Sequence, residues 1–296
     1  MTDQLLLADR TELPSPAEGL RPYLGEDGVA VLLLDRPHRR NAVTRAMWQA
    51  LPQLLAELAA RPGLRALLLT GAEGTFSAGA DIAELSAIYG DPAAAEAYHA
   101  LNVAAEQALA DFPLPTLAVL HGSCVGGGCQ LALACDLRFG AADARLGITP
   151  AKLGVVYPAV PTARLARVVG PARAKYLLFS GELVDAARAE RFGLLDEVHP
   201  AAGLDARALG FARLLARRSP QTTTAAKAAL NAVPVGEPAA VAAALAPWER
   251  LAQQAPHARE GLAAFLERRE PDFPDAGARF PDAGPRLPDA GAHRPE

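Results

Sequence analysis

The sequence predicts an α/β fold built on a mostly parallel sheet. Three observations predict it. Short apolar runs at 29–34, 64–70 and 116–120 end in turn signals and read as strands. Segments with apolar residues at helical spacing separate them. Glycine-rich turns follow the second and third runs, as strands feeding helices require.

Residues 1–25 read as a loosely structured arm, broken by Pro14, Pro16 and Pro22. The 29–34 run ends at Asp35-Arg36-Pro37. Thr44 then caps a helix to about Ala60, with Met47, Leu51, Leu54, Leu55 and Leu58 on its apolar face. The 64–70 run contains Leu67-Leu68-Leu69, which suggests a strand buried on both faces. The loop Gly71-Ala72-Glu73-Gly74-Thr75-Phe76-Ser77-Ala78-Gly79-Ala80-Asp81 follows, and helix occupies much of 92–111. The third run leads through His121-Gly122 into Gly126-Gly127-Gly128, where a helix opens; a strand resumes over 136–141. From Pro161 the chain is mainly helical, at 161–169, 171–179, 185–192, 205–217, 220–231 and 257–269. Residues 26–200 are thus expected as the core and 201–273 as a helical C-terminal region. The last residues repeat Pro-Asp-Ala-Gly with a period of seven; Pro and Gly in every unit prevent a helix, so 274–296 read as a disordered tail.

Composition excludes several functions. With 296 residues, 51% of them hydrophobic, the chain can bury a large core. The formal net charge is −4 and no basic stripe appears, which argues against nucleic acid. No stretch approaches the roughly 18 apolar residues of a membrane span. The N-terminal apolar run is too short for a signal peptide, and Asp3 stands where a basic residue would. Cys124, Cys129 and Cys135 form an odd set at spacings unlike a zinc site, which favours buried free thiols in a reducing cytoplasm and no metal.

The chemistry is expected at the two glycine-rich turns. Glycines let backbone approach a ligand closely, and a helix N-terminus presents free N–H groups. Two such turns facing each other can hold an oxyanion. Gly126-Gly127-Gly128 matches neither a dinucleotide fingerprint nor a phosphate-binding loop.

Over about residues 25–273 the chain resembles the crotonase (enoyl-CoA hydratase/isomerase) superfamily. The segments that carry the resemblance stand in order: Asp35-Arg36-Pro37 with Asn41-Ala42; Phe76-Ser77-Ala78-Gly79-Ala80-Asp81-Ile82; and His121-Gly122 with Gly126-Gly127-Gly128-Cys129-Gln130-Leu131-Ala132 and Cys135-Asp136. Leu153-Gly154, Gly170, Gly181, Gly193-Leu194-Leu195 and the ending 259–269 complete it. The resemblance implies a spiral of ββα units, a helical C-terminal trimerisation region, and a homotrimer or hexamer. It implies an acyl-CoA or carrier-protein-bound thioester as substrate, with coenzyme A entering as part of the substrate and no further cofactor. It places the oxyanion hole at Ala80 and Gly127, CoA contacts at Arg36, Arg39 and Arg40, and substrate contacts at Ala78, Asp81, Ile82 and Gly126.

The sequence departs from the family's hydratases at both catalytic carboxylates. Gln130 stands where one Glu is expected and Pro150 where the other is. Gln exchanges no proton near neutral pH, and Pro has no side-chain chemistry. The stretch 148–157, with Thr149-Pro150, Leu153-Gly154-Val155 and Tyr157, resembles methylmalonyl-CoA decarboxylase. That resemblance assigns Tyr157, with Gln130, to holding a substrate carboxylate, and makes decarboxylation of a malonyl-type thioester the leading expectation. The alternatives are a hydratase or isomerase with rewired acid–base groups, and a catalytically silent acyl-CoA-binding member. His121, Ser77, Asp81 and Glu84 are further polar candidates near the turns.

Overall fold

The structure is a computed structural model that describes residues 4–88, 90–232, 238–254 and 256–273. The chain divides into two units, Met1–Ala216 and Arg217–Glu296.

The first unit opens with a short helix α1 (Gln4–Leu7) and strands β1 (Arg10–Glu12), β2 (Leu20–Gly25) and β3 (Val29–Leu34). These three strands pair antiparallel in sequence order. The expected N-terminal arm is thereby corrected: from Arg10 to Gly25 it supplies two strands of the main sheet. Pro22 is tolerated because proline lacks only the donor; it sits opposite Leu32, and its carbonyl accepts from the Leu13 N–H at 2.8 Å.

Helix α2 (Arg45–Ala59) starts where Thr44 accepts a hydrogen bond from the Met47 N–H. It buries Met47, Trp48, Leu51, Leu54, Leu55 and Leu58, the face that periodicity predicts plus one tryptophan. Strand β4 (Ala66–Gly71) runs parallel to β3, residue Val29 facing Ala66. After it come helices α3 (Ile82–Ile88) and α4 (Pro92–Ala110), capped by Asp91, and strand β5 (Thr116–Leu120). Then follow β6 (Ser123–Val125), α5 (Gly127–Ala134) and β7 (Leu137–Ala141). All residues of β3, β4 and β5 are buried, which is why each reads as an unbroken apolar run. Burying each large aliphatic side chain there contributes about 1.5–3 kcal/mol.

Next are β8 (Arg145–Gly147), α6 (Pro150–Leu153), α7 (Ala159–Val169), α8 (Pro171–Ser180), β9 (Val184–Asp185), α9 (Ala186–Phe192), β10 (Glu197–His199) and α10 (Ala201–Ala216). The seven-stranded sheet has the order β1-β2-β3-β4-β5-β7-β10, parallel from β3 onward. Strands β6, β8 and β9 form a second, three-stranded sheet. Two or three residues each, they are too short to leave a pattern in sequence. Helix α10 lies across β4, β5 and β7 and belongs to the core, so the boundary expected at 200 moves to 216.

The second unit contains α11 (Pro220–Asn231), α12 (Pro238–Gln254) and α13 (His257–Glu267). Sequence reading finds the first and last. It misses α12, whose interior Pro247 reads as a breaker. The repeat tail, 274–296, lies outside the described residues. Among the described residues, no helix is long and apolar enough to cross a membrane.

Candidate active site

The first loop is built around Asn41, which is fully buried and held at φ +56°. Its amide donates to the carbonyls of Ala72 (2.9 Å) and Thr75 (2.6 Å), and its oxygen accepts from the Arg36 N–H at 2.9 Å. Asparagine tolerates this left-handed backbone better than most residues. Ser77 joins the frame: its hydroxyl donates to the Asn41 carbonyl at 2.7 Å and accepts from the Gly79 N–H at 3.1 Å. The Val43 N–H donates to the Gly79 carbonyl at 2.7 Å, and the Asp81 N–H donates to the Val43 carbonyl at 3.0 Å. The alternation of a parallel pair turns the intervening Ala80 N–H to the other side.

The second turn is stitched to the first. Ser77 N–H donates to the Ser123 carbonyl, and Val125 N–H donates back to the Ser77 carbonyl. Helix α5 then starts at Gly127 with a free N-terminal N–H. A β-carbon on Gly127 would sit 3.2 Å from the Ala80 nitrogen, and one on Gly79 would sit 3.2 Å from the Gly127 nitrogen. A β-carbon on Gly128 would come within 2.9 Å of the Ser77 carbonyl oxygen. The glycines therefore permit the contact between the loops. Among the described residues, neither the Ala80 nor the Gly127 N–H meets a protein acceptor.

Both nitrogens border a cleft of about 630 Å³, counted out to its mouth. Ala78, Gly126, Gln130 and Tyr157 line it too, with Ile82 and Leu153 largely exposed at its edge. Tyr98, His99 and Asn102 of α4 and Thr149 and Pro150 at the start of α6 complete the polar wall. Pro150 begins α6, so no side-chain acid reaches the cleft from there. Among the described residues, those that line the cleft include no Asp or Glu.

Tyr157 and Gln130 both line the cleft. The Tyr157 hydroxyl is buried without a hydrogen-bond partner. Burial first, then the charge of Glu106, push its pKa well above the phenol's ordinary value; the Gln130 amide pulls the other way, though no hydrogen bond closes between them.

Glu106 is a residue that sequence reading does not name. Tyr98, Asn102 and Glu106 lie four apart on α4 and are all buried, Glu106 completely. Among the described residues, neither Glu106 carboxyl oxygen has a hydrogen-bond partner, and the cation paired with it, Arg164 of α7, lies at 3.5 Å. Burial raises its pKa to about 7, against the lowering pull of Arg164. The signal was present in sequence as a polar stripe at spacing four.

Other candidates serve the framework. Arg36 donates to the Ala42 carbonyl at 2.7 Å and to the Asp81 carboxylate at 3.0 Å, so its guanidinium braces the first loop. Asp81 also accepts from the Ala83 N–H. Burial would raise the Asp81 pKa, but Arg36 and backbone donors outweigh it and hold the carboxyl below its usual range. Arg39 and Arg40 are exposed and outside the cleft lining. Glu84 accepts from the Arg45 N–H at the start of α2. His121 is buried with its ring 2.6 Å from Asp205, away from the cleft lining. The three cysteines are free and buried.

Residues 25–276 match the family model described as enoyl-CoA hydratase/isomerase. A Thermus thermophilus protein provisionally named an enoyl-CoA hydratase is 37% identical over 249 residues, covering 83% of this chain and 97% of that one. The 2,3-dehydroadipyl-CoA hydratase of Escherichia coli is 34% identical over 253 residues, covering 83% and 94%. The solved structure of an enoyl-CoA hydratase from Mycobacterium smegmatis superposes with a TM-score of 0.80 at 29% identity, covering 87% and 99%. These names favour the hydratase/isomerase alternative over the decarboxylase expectation. With the fold, the paired turns and the family match in agreement, the chain belongs to the enoyl-CoA hydratase/isomerase family.

Proposed function

We propose that the protein moves protons at an acyl-CoA thioester through an enolate, as a hydratase or isomerase whose acid–base groups differ from the paired glutamates. The observation that carries this reading is the pair of acceptor-free N–H groups, Ala80 and Gly127, on one wall of the cleft. When the α-carbon gains carbanion character, charge moves to the thioester oxygen, and donors already in place stabilise it. Such donors act at the transition state without reorganising, and each typically contributes about 3 kcal/mol. The apolar edge at Ile82 and Leu153 suits an acyl or pantetheine chain. Assembly as a trimer or hexamer through the helical C-terminal region is part of the same proposal.

Incubation with crotonyl-CoA and with 3-butenoyl-CoA, followed by mass spectrometry and chromatography of the products, tests the reading. Water addition to the first or migration of the double bond in the second supports it. Binding of both with turnover of neither sinks it in favour of a silent acyl-CoA-binding member.

A second reading, decarboxylation of a malonyl-type thioester, is favoured by one observation. The cleft lining has amides and phenols and, among the described residues, no carboxylate to repel a substrate anion. Malonyl- and methylmalonyl-CoA belong in the same assay. Loss of CO₂ that Tyr157→Phe slows, with crotonyl-CoA untouched, would replace the first reading by this one.

A further inference from the structure

A carboxyl group buried out of water without hydrogen bonds is costly to ionise, and a fold tolerates it readily only where it serves a purpose. Glu106 is such a group, and its charge acts on Tyr157, whose hydroxyl is, among the described residues, itself buried and unpartnered. Tyr157 lines the cleft; Glu106 does not. Asn102, one turn before Glu106 on α4, also lines the cleft with its amide nitrogen unpartnered. Several buried polar atoms without partners thus converge where α4 meets the residues that lead into α7.

We propose that Glu106 is the proton store of this site, exchanging protons with the bound thioester through the Tyr157 phenol. The inference rests on the enolate reading above and names the group that stands in for the missing carboxylates. Glu106 acts through Tyr157 and a water held between these two unpartnered groups, so it is a positioning residue rather than one that touches substrate. In the forward step the α C–H bond breaks and its proton passes to the phenolic oxygen. The phenol's own proton leaves through the water to a Glu106 carboxylate oxygen. The C–H electron pair becomes the C=C bond of the enolate, and the charge rests on the thioester oxygen between Ala80 and Gly127. The reverse path returns the proton to the α-carbon or, in an enoyl chain, to the γ-carbon, which is isomerisation. No oxidant or added reactant is needed.

The surroundings suit this role. Arg164 of α7 is the cation that faces Glu106, and it holds the ionised form. Cys129 of α5 and Tyr157 are the titratable groups on the adjoining side, and Tyr98 shares the α4 stripe. Helix α2, packed along α4, turns only Met47, Trp48, Leu51, Leu54, Leu55 and Leu58 inward. Burial sets the Glu106 pKa at about 7, so both protonation states are populated at neutral pH.

The test is deuterium wash-in at the α-carbon of butyryl-CoA in D₂O, read by mass spectrometry across pD 5–9. The parent enzyme should exchange faster as Glu106 ionises, with a rising limb centred near 7. Glu106→Gln should lower exchange about 100-fold and flatten the limb. Glu106→Asp should recover part of the rate and restore the limb, which a merely structural role would not produce. Should Glu106→Gln not fold, Tyr157→Phe removes the oxygen that meets substrate and carries the same prediction. A parent that exchanges while both variants keep its rate and limb overturns this inference alone. A parent that exchanges nothing overturns the enolate reading, and this inference with it.

Discussion

The backbone nitrogen of Ala80 lies 3.2 Å from the place a β-carbon on Gly127 would occupy, and Trp48 closes the other side at 3.0 Å. A side chain there must push against a backbone donor and a fully buried indole. Gly127→Ala should therefore leave the oxyanion hole misaligned. The expected outcome is a fall in kcat of about 100-fold or more with circular dichroism unchanged. A variant that turns over thioester at the parent's rate would show that the charge is stabilised elsewhere.

Asn41 ties the start of the first loop to Arg36 through three hydrogen bonds from a fully buried position. Asn41→Ala removes a donor from the Ala72 and Thr75 carbonyls and the acceptor of the Arg36 N–H, and it leaves a β-carbon at positive φ. Urea denaturation should show a loss of about 2–4 kcal/mol. Asn41→Gly relieves the backbone and loses the same bonds, so its loss should be close to this value or smaller.

The Arg36–Asp81 pair gives a pH-dependent contribution. The Asp81 pKa is depressed in the folded protein, so its stabilisation is present above the unfolded pKa of about 3.9 and is lost as pH falls through the folded value. Asp81→Asn should lower stability by about 1 kcal/mol at pH 7, a charge-assisted bond partly open to solvent. Thermal melts of the two proteins should converge as pH falls below the folded pKa of Asp81. A constant gap at all pH values would show that the charge of Asp81 contributes nothing.

Glu106 should act in the opposite sense. Its folded pKa, about 7, lies above the ordinary value of 4.5. The folded state is thus favoured below the unfolded pKa, and this advantage is lost as pH rises through 7. Relative to Glu106→Gln, the parent should lose about 3 kcal/mol between pH 4 and pH 8. Denaturation curves at the two pH values measure it, and parallel behaviour of the two proteins would mean that Glu106 ionises as an ordinary surface carboxylate.

The helix of Thr44 and the strand at 29–34 were legible in sequence because their signals are local. A cap lies one turn from the residue it serves, and an unbroken apolar run is the mark of a strand covered on both faces. The N-terminal segment is not legible as strands because Pro22 reads as a breaker, and only its pairing between β1 and β3 accommodates it.

By itself, the sequence determined the parallel α/β core and the two glycine-rich turns, since each depends on residue type at a short spacing, and the family resemblance marked Gln130 and Pro150 as standing where carboxylates are expected. The tertiary structure decided that the Ala80 and Gly127 N–H groups meet no protein acceptor among the described residues, that Arg36 is tied to Asp81, and that the charge of Glu106 acts on Tyr157. These relationships join residues about 45 to 50 positions apart. The first two arise from hydrogen bonds between loops, and the third from packing α4 against α5 and α5 against α7, which no local pattern encodes.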